Sequence, residues 1–380
     1  MNRRMERPAT AGALLAVLAC SACLADNPLK LPVNMVPELV DGDWPVSSPE
    51  AEGMDEAAVR TAYERFFSEN AYVTGLSLLV VRHGKLLAEG YTRSTDDRDV
   101  PRNIQSVTKG HTALLVGIAL EHGHFEGLDQ PLHDVVPEDF GPNAGATSAK
   151  LEITLGHLLT MRSGLAYPPD DFTQELHRDR TRGQMAHILR RPLATVPGEA
   201  FEYKDCDPQL LSGALRAATG MAMHDYAADV LWAPLGVRNV FWETNVDGDA
   251  WGAQALYLRP RDLAKIGQLL VSGGLWRGER IVDQAWINAL IEPQHKAPPP
   301  PEGFEQAPGF GMMWWVAPER GGVYGRGTAG QYLAAYPELD LVIVQTAEPY
   351  ADDIGGYFAG PGSGSFMDLA NALVLAIGEP

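Results

Sequence analysis

Ser106-Val107-Thr108-Lys109 joins two residue types that together can open an acyl bond. A serine hydroxyl is a weak nucleophile until a base takes its proton. A lysine three residues further on shares a helix face with the serine and can reach its oxygen. Burial disfavours a charged amine, so a desolvated lysine is expected to have a lowered pKa and to serve as that base. Thr108 to Leu120 is apolar almost all round. That pattern predicts a buried helix, whose first-turn N–H groups and positive dipole end favour negative charge developing at the serine. The chemistry implied is an acyl-serine route that does not depend on a histidine. Ser-x-x-Lys is a short pattern, and a helix-capping serine followed by an exposed lysine also fits it. The apolar run favours the chemical reading, because a lysine that begins it is hard to keep in water.

Three other groups of residues bear on chemistry. Phe201-Glu202-Tyr203-Lys204-Asp205 follows a turn at Pro197-Gly198 and precedes a helical stretch, Gln209 to Thr219. A tyrosine on such a loop can shuttle protons if a cation lies nearby; a packed aromatic is the bland alternative. Gly325-Arg326-Gly327-Thr328-Ala329-Gly330-Gln331 precedes a strand. Small residues there let a substrate lie close to the strand edge, and a free N–H can help bind an oxyanion; a hairpin connection is the plainer reading. His122-Gly123-His124, with Asp129, His133 and Asp134, has metal-ligand residue types. Two histidines around a helix-ending glycine also simply complement a helix dipole. His-Glu-x-x-His and Gly-x-Ser-x-Gly do not occur in the sequence.

These residues need a scaffold. Met54 to Glu69 has helical spacing, with Val59, Tyr63, Phe66 and Phe67 on one face. Gly75 to Val81 and Lys85 to Tyr91 flank His83-Gly84 and predict a hairpin. Pro260 to Ser272 reads as an amphipathic helix with Leu263, Ile266, Leu269 and Leu270 inward. Gly311 to Val316, Tyr332 to Tyr336 and Leu341 to Gln345 read as strands, the last two joined by a turn at Pro337 to Asp340. Phe366 to Ile377 reads as a terminal helix. Pro298 to Pro301 is a proline loop. Strands at both chain ends and helices between predict an α+β fold: an antiparallel sheet built from both ends, flanked by terminal helices, with a mainly helical insertion. The expected division is 53–109 with 241–380 for the α/β part and 110–240 for the helical part. A site between the two is a normal place for a cleft.

The chain has 380 residues and a net charge of −19, which argues against nucleic acid and against docking to anionic lipid. Residues 1–25 read as an export segment: Arg3, Arg4 and Arg7, then a short apolar run from Ala11 to Ala19. The run is too short for a permanent membrane span. Val17-Leu18-Ala19-Cys20 resembles a bacterial lipoprotein cleavage box, with Cys20 lipidated; cleavage after Ala25 is the alternative. Ser21 is not the aspartate that retains such proteins at the inner membrane, so a periplasmic or outer-membrane-anchored location is expected. Residues 26–52 read as a linker or wrapping arm. Cys206 is the only cysteine beyond Cys23, so the folded part has no internal disulfide, and Cys206 is expected to be buried.

Taken together, these segments resemble the class C β-lactamase-like serine hydrolases, a family that includes penicillin-binding peptidases, esterases and 6-aminohexanoate-dimer hydrolases. The likeness runs from about residue 50 onward. Ser106 to Lys109 resembles the family's first box. Leu128 to Leu132 and Ile153 to Leu165 resemble framework segments. Tyr203-Lys204-Asp205 resembles the second box, Tyr-x-Asn, with Asp205 where asparagine is usual. Pro234-Leu235-Gly236 and Tyr257 to Leu270 also fit. Gly330-Gln331-Tyr332 resembles the hydrolase branch more than the lactamases. The third box, Lys-Thr-Gly or His-x-Gly, has its best match at Thr328-Ala329-Gly330, but no lysine follows Lys296 and no histidine follows His295.

The resemblance implies an acyl-enzyme on Ser106, proton transfer by Lys109 and Tyr203, and an oxyanion hole from the N–H groups of Ser106 and Gln331. Gly330, Asp205 and Arg326 are expected beside the substrate, a small ester or amide. No metal or organic cofactor is implied, and the only membrane contact expected is through a lipid on Cys20. The alternatives are a β-lactamase or D-Ala-D-Ala peptidase, a sensor that acylates once, and a metallohydrolase using His122 and His124.

Overall fold

The computed structural model describes residues 34–141, 147–167, 182–295, 309–317, 321–348 and 362–378. The export segment with Cys20, nearly all of the loop from Tyr167 to Arg182, and the proline loop lie outside them.

A seven-stranded antiparallel sheet carries the molecule, and both ends of the chain build it. Strands β1 (Gly75–Arg82) and β2 (Lys85–Tyr91) form the early hairpin. Three short strands follow in a separate small sheet: β3 (Arg102–Asn103), β4 (Phe241–Trp242) and β5 (Leu256–Leu258). β6 (Leu275–Trp276) and β7 (Glu279–Arg280) make a two-stranded ribbon. The main sheet resumes with β8 (Gly309–Phe310), β9 (Trp315–Ala317), β10 (Gly322–Gly327), β11 (Gln331–Tyr336) and β12 (Leu341–Ala347). Its order is β2-β1-β12-β11-β10-β9-β8, so β1 pairs with the last strand, Leu79 opposite Val344.

Strand alternation sorts the side chains into two cores. Leu78, Val80, Ala334 and Ile343 face the terminal helices Glu56–Ser68 and Gly362–Leu375. Leu79, Val81, Leu333 and Val344 face the opposite way, into the core shared with the helical region and with helix Pro260–Val271. Asp55 starts the first terminal helix by accepting from the N–H groups of Ala57 and Ala58. The arm before it lies along β2, with bridges from Asn34 to Glu89 and from Val46 to Leu86.

The expected helices and hairpins are present, with two differences near the site. Gly311 to Val316 is not one strand. Gly311 donates to the Trp314 carbonyl in a tight turn and Met313 has φ 64°, so the segment splits into β8 and β9. Gly322–Gly327, which includes the start of the expected hairpin connection, is a full strand. It reads poorly as one because two of its glycines serve a close approach: a Cβ at Gly325 would lie 2.8 Å from Val107 Cγ1, and one at Gly327 would lie 2.6 Å from the Ile104 carbonyl oxygen. β10 therefore lies directly against the turn that carries Ser106.

Candidate active site

Ser106 sits on a 3₁₀ turn, Gln105–Val107, that leads straight into the helix Thr108–Glu121. The residue before it, Gln105, has φ 51°. A left-handed backbone at a non-glycine residue costs energy and persists only where its surroundings impose it. Here the Gln105 N–H donates to Asn103 Oδ1 at 2.9 Å, and Gly327 covers the turn from above. The turn leaves Ser106 partly exposed while every residue from Val107 to Ala119 is buried. Its N–H lies where a helix has no internal acceptor for it, so it can serve an external oxyanion.

Lys109 is 1% exposed. Its Nζ donates to Ser106 Oγ at 2.9 Å, lies 2.7 Å from Asp205 Oδ1, and donates to the Ala253 carbonyl at 3.2 Å. The Tyr203 hydroxyl also hydrogen-bonds to it, and the Tyr203 ring centroid is 4.8 Å away. An ammonium has three hydrogens and no acceptor. These oxygens take all of them.

This arrangement corrects the expectation of a lysine with a lowered pKa. Burial does push the amine toward the neutral form, but the Asp205 carboxylate, with Tyr203 adding to it, outweighs burial and raises the pKa. Lys109 therefore rests as an ammonium that donates to Ser106. The same carboxylate explains what the unusual Asp205 does in this fold: it faces the lysine.

Tyr203 belongs to an aromatic wall. It stacks on Trp315, with ring centroids 5.5 Å apart, and meets Phe310 edge-on. Phe201 and His295 continue the wall, 4.2 Å apart. Burial holds His295 at a pKa of about 4, with the Arg162 charge adding to the effect, so its ring is neutral at pH 7.

The loop holding Tyr203 and Asp205 is anchored from beneath by the framework segment. Lys204 Nζ donates to the Leu165 carbonyl at 2.7 Å and pairs with Glu202. Ser163 Oγ donates to Asp207 Oδ1 at 2.6 Å. The Glu202 N–H donates to the Met161 carbonyl, and the Gly198 N–H to that of Arg162. Lys204, Asp207 and Ser163 are buried supports that position the site. Only the framework pattern hinted at Ser163. Ala253 and the wall residues Phe310 and Trp315 carry no local signal at all.

The remaining expected residues sit around this centre. Gln331 pairs with Gly327 at the end of the β10–β11 hairpin, next to Gln105. Its side chain turns away, bonding Ala347 through both its nitrogen and its oxygen. Only its backbone is left to face the cleft. Gly330 has φ 97° and its carbonyl accepts from Gln345 Nε2. Arg326 alternates to the face opposite Gly325 and Gly327, and its guanidinium packs 5.7 Å over Trp315. It is one ring removed from Tyr203 and outside the Ser106–Lys109 group. His122 hydrogen-bonds to the Tyr226 hydroxyl at 2.9 Å, and His124 packs edge-on to the same ring. Among the described residues no cluster of three or more histidines, cysteines, aspartates or glutamates could hold a metal ion.

Comparison with known proteins gives the family and the fold. The Beta-lactamase family model matches residues 61–348. The chain belongs to the Beta-lactamase family. That family is one of serine hydrolases of the β-lactamase fold. The chain is 27% identical over 317 residues to a 6-aminohexanoate-dimer hydrolase of Paenarthrobacter ureafaciens, covering 78% of each chain. Its fold is similar to that of a penicillin-binding protein homologue from Caulobacter crescentus, with a TM-score of 0.63, 17% identity, and 83% and 96% of the two chains covered. It is similar also to a family VIII carboxylesterase, with a TM-score of 0.64, 15% identity, and 84% and 97% covered.

Asp207 gives a test of the anchor. Burial raises its pKa to about 6, against the pull of Lys204 and the Ser163 hydrogen bonds. A carboxyl whose folded value exceeds its ordinary 3.8 favours the folded state when protonated. That contribution is complete below the ordinary value and is lost as pH rises through about 6. Urea midpoints of the native protein should therefore rise relative to Asp207→Asn as pH is lowered from 7 to 5. Parallel profiles for the two proteins would show that Asp207 does not titrate in this way.

Proposed function

We propose that this protein is an exported serine hydrolase that cleaves small uncharged esters or amides through an acyl-enzyme on Ser106. The observation that carries the reading is the buried Lys109 in contact with Ser106 Oγ, Tyr203 and Asp205 at once. Ser106 Oγ bonds to the substrate carbonyl carbon, and its proton passes to the Tyr203–Lys109 pair after that pair has given up one proton. The N–H groups of Ser106 and Gln331 hold the resulting oxyanion. The pair then returns the proton to the leaving oxygen or nitrogen as the acyl bond breaks. Water attacks the acyl-serine by the same steps in reverse, releasing the acid and restoring Ser106.

The substrate class follows from charge and shape. Gly325 and Gly327 put no cation on the face of β10 nearest Ser106, and the Arg326 guanidinium is stacked on Trp315. Asp205 adds negative charge beside the site, and the wall of Phe201, Tyr203, Phe310 and Trp315 is aromatic. A carboxylate-bearing substrate lacks a charge-assisted contact worth about 1.5–3 kcal/mol, or roughly ten- to a hundredfold in binding. The relation to a 6-aminohexanoate-dimer hydrolase supports amides, and the fold shared with a carboxylesterase supports esters.

Ser106→Ala is expected to abolish turnover and fluorophosphonate labelling with the fold intact, and Tyr203→Phe to slow acylation by about a hundredfold or more. Labelling that survives in Ser106→Ala would remove Ser106 from the mechanism, and near-normal acylation in Tyr203→Phe would reduce Tyr203 to packing. A stable adduct without turnover in the native protein would indicate a sensor. Specificity constants for a p-nitrophenyl ester should exceed those for a chromogenic cephalosporin; the reverse order would make the β-lactamase reading the better one. Cys20 is expected to carry lipid in a bacterial host, so that the protein partitions into detergent and Cys20→Ser does not. A mature chain that starts at Asp26 by mass spectrometry would exclude the anchor.

A further inference from the structure

Asp205 stands where the family resemblance leads one to expect asparagine, and the exchange adds one negative charge at the buried Lys109. Its Oδ1 lies 2.7 Å from Lys109 Nζ, on a side chain only 19% exposed. It occupies the N-cap position of the helix Cys206–Thr219, yet its side chain does not cap that helix. The carboxylate is directed to the lysine instead.

The other groups around Lys109 do not cancel that charge. The titratable and charged groups that face the amine are Asp205 and Tyr203. The loop at Ala253 presents a carbonyl and Ser106 presents a hydroxyl. Lys204 is occupied beneath the loop by the Leu165 carbonyl and Glu202. Arg326 is packed on Trp315. His111, one half-turn further along the same helix, bonds the Val107 carbonyl.

Lys109 and Tyr203 are in direct contact, so a proton can pass between them. To accept the Ser106 proton the pair must first lose a proton, and then one of two atoms is the acceptor: the lysine nitrogen or the phenol oxygen. A carboxylate beside the nitrogen decides which. It keeps the remaining proton on the amine, where the ion pair is formed, and makes the first loss harder.

We infer that Asp205 is a positioning residue: it holds the pair's proton on Lys109, leaves the Tyr203 oxygen to receive the Ser106 proton, and moves the enzyme's working range to alkaline pH. The inference rests on the hydrolase reading for its kinetic consequence only. The proton balance is closed, because the proton that leaves Ser106 Oγ arrives on Tyr203 and later goes to the leaving group. Lys109 stays an ammonium and donates to the reacting oxygen throughout.

The test compares the native protein with Asp205→Asn, which keeps the shape and removes the charge. With a p-nitrophenyl ester, the acid limb of kcat/KM should move to lower pH by about 1 unit or more in the variant, the change expected when an opposite charge is removed at this distance. An unchanged limb would overturn the inference, since a merely structural role alters amplitude and not the limb. A second readout needs no activity. The Lys109 ¹³Cε resonance, assigned by its loss in Lys109→Arg, should show an ammonium beyond the ordinary lysine value of about 10.4 in the native protein. It should titrate at lower pH in Asp205→Asn. A native Lys109 already neutral below that value would refute the inference even if esters are hydrolysed. A native protein that hydrolyses no ester or amide would refute the hydrolase reading, and the resonance would still decide the ion pair.

Discussion

The site is organised around one buried charge. Lys109 is almost wholly removed from water, and an isolated ammonium in such a place would neutralise. It stays charged because Asp205, Ser106, Tyr203 and the Ala253 carbonyl surround it. The partners come from the Ser106 turn, the loop with Tyr203 and Asp205, and the loop at Ala253, so satisfying the one cation fixes the relative positions of three segments. A buried pair of this kind is costly to break, because losing one partner leaves an uncompensated charge. That constraint makes the cluster a mould for the cleft as much as a source of chemistry.

The framework around it transmits the same constraint outward. The loop with Tyr203 and Asp205 is held from below by Lys204, Asp207 and Ser163, all buried and bonded to one another or to backbone. On the other side, β10 approaches so closely that glycine is needed at 325 and 327. Residues with side chains there would push the strand off the Ser106 turn. The strand face nearest the Ser106 turn thus carries no side chain at 325 and 327, because the close approach leaves no room for a Cβ.

The family spans peptidases, esterases and amide hydrolases, so the fold alone does not select a substrate. What distinguishes this chain is local. Aromatic rings pack around Tyr203, the Arg326 guanidinium is stacked on Trp315 among them, and the carboxylate at the second box is turned inward to the lysine. Each feature lowers the attraction for an anion and none lowers it for a neutral acyl group.

Much of this was legible in the residues themselves. The helices and the β1 and β11–β12 hairpins follow local periodicity and turn chemistry, which act over a few residues and need no knowledge of the rest of the chain. Ser106 and Lys109 are one helical turn apart, so their contact was determined locally as well. Tyr203 and Asp205 were marked by their motif, but their distance from Lys109 was not, since nearly a hundred residues separate them. The protonation of Lys109 reversed the local expectation: burial is legible in the apolar run, whereas the carboxylate that overrides it arrives only through tertiary folding. β10 was hidden for the same reason. Its glycines look like a loop until the strand is seen pressed against Ile104 and Val107. Sequence determines elements and the chemistry that neighbours share along a helix; the fold decides which distant charge stands beside a buried one, and in a low-dielectric interior that neighbour sets the chemistry.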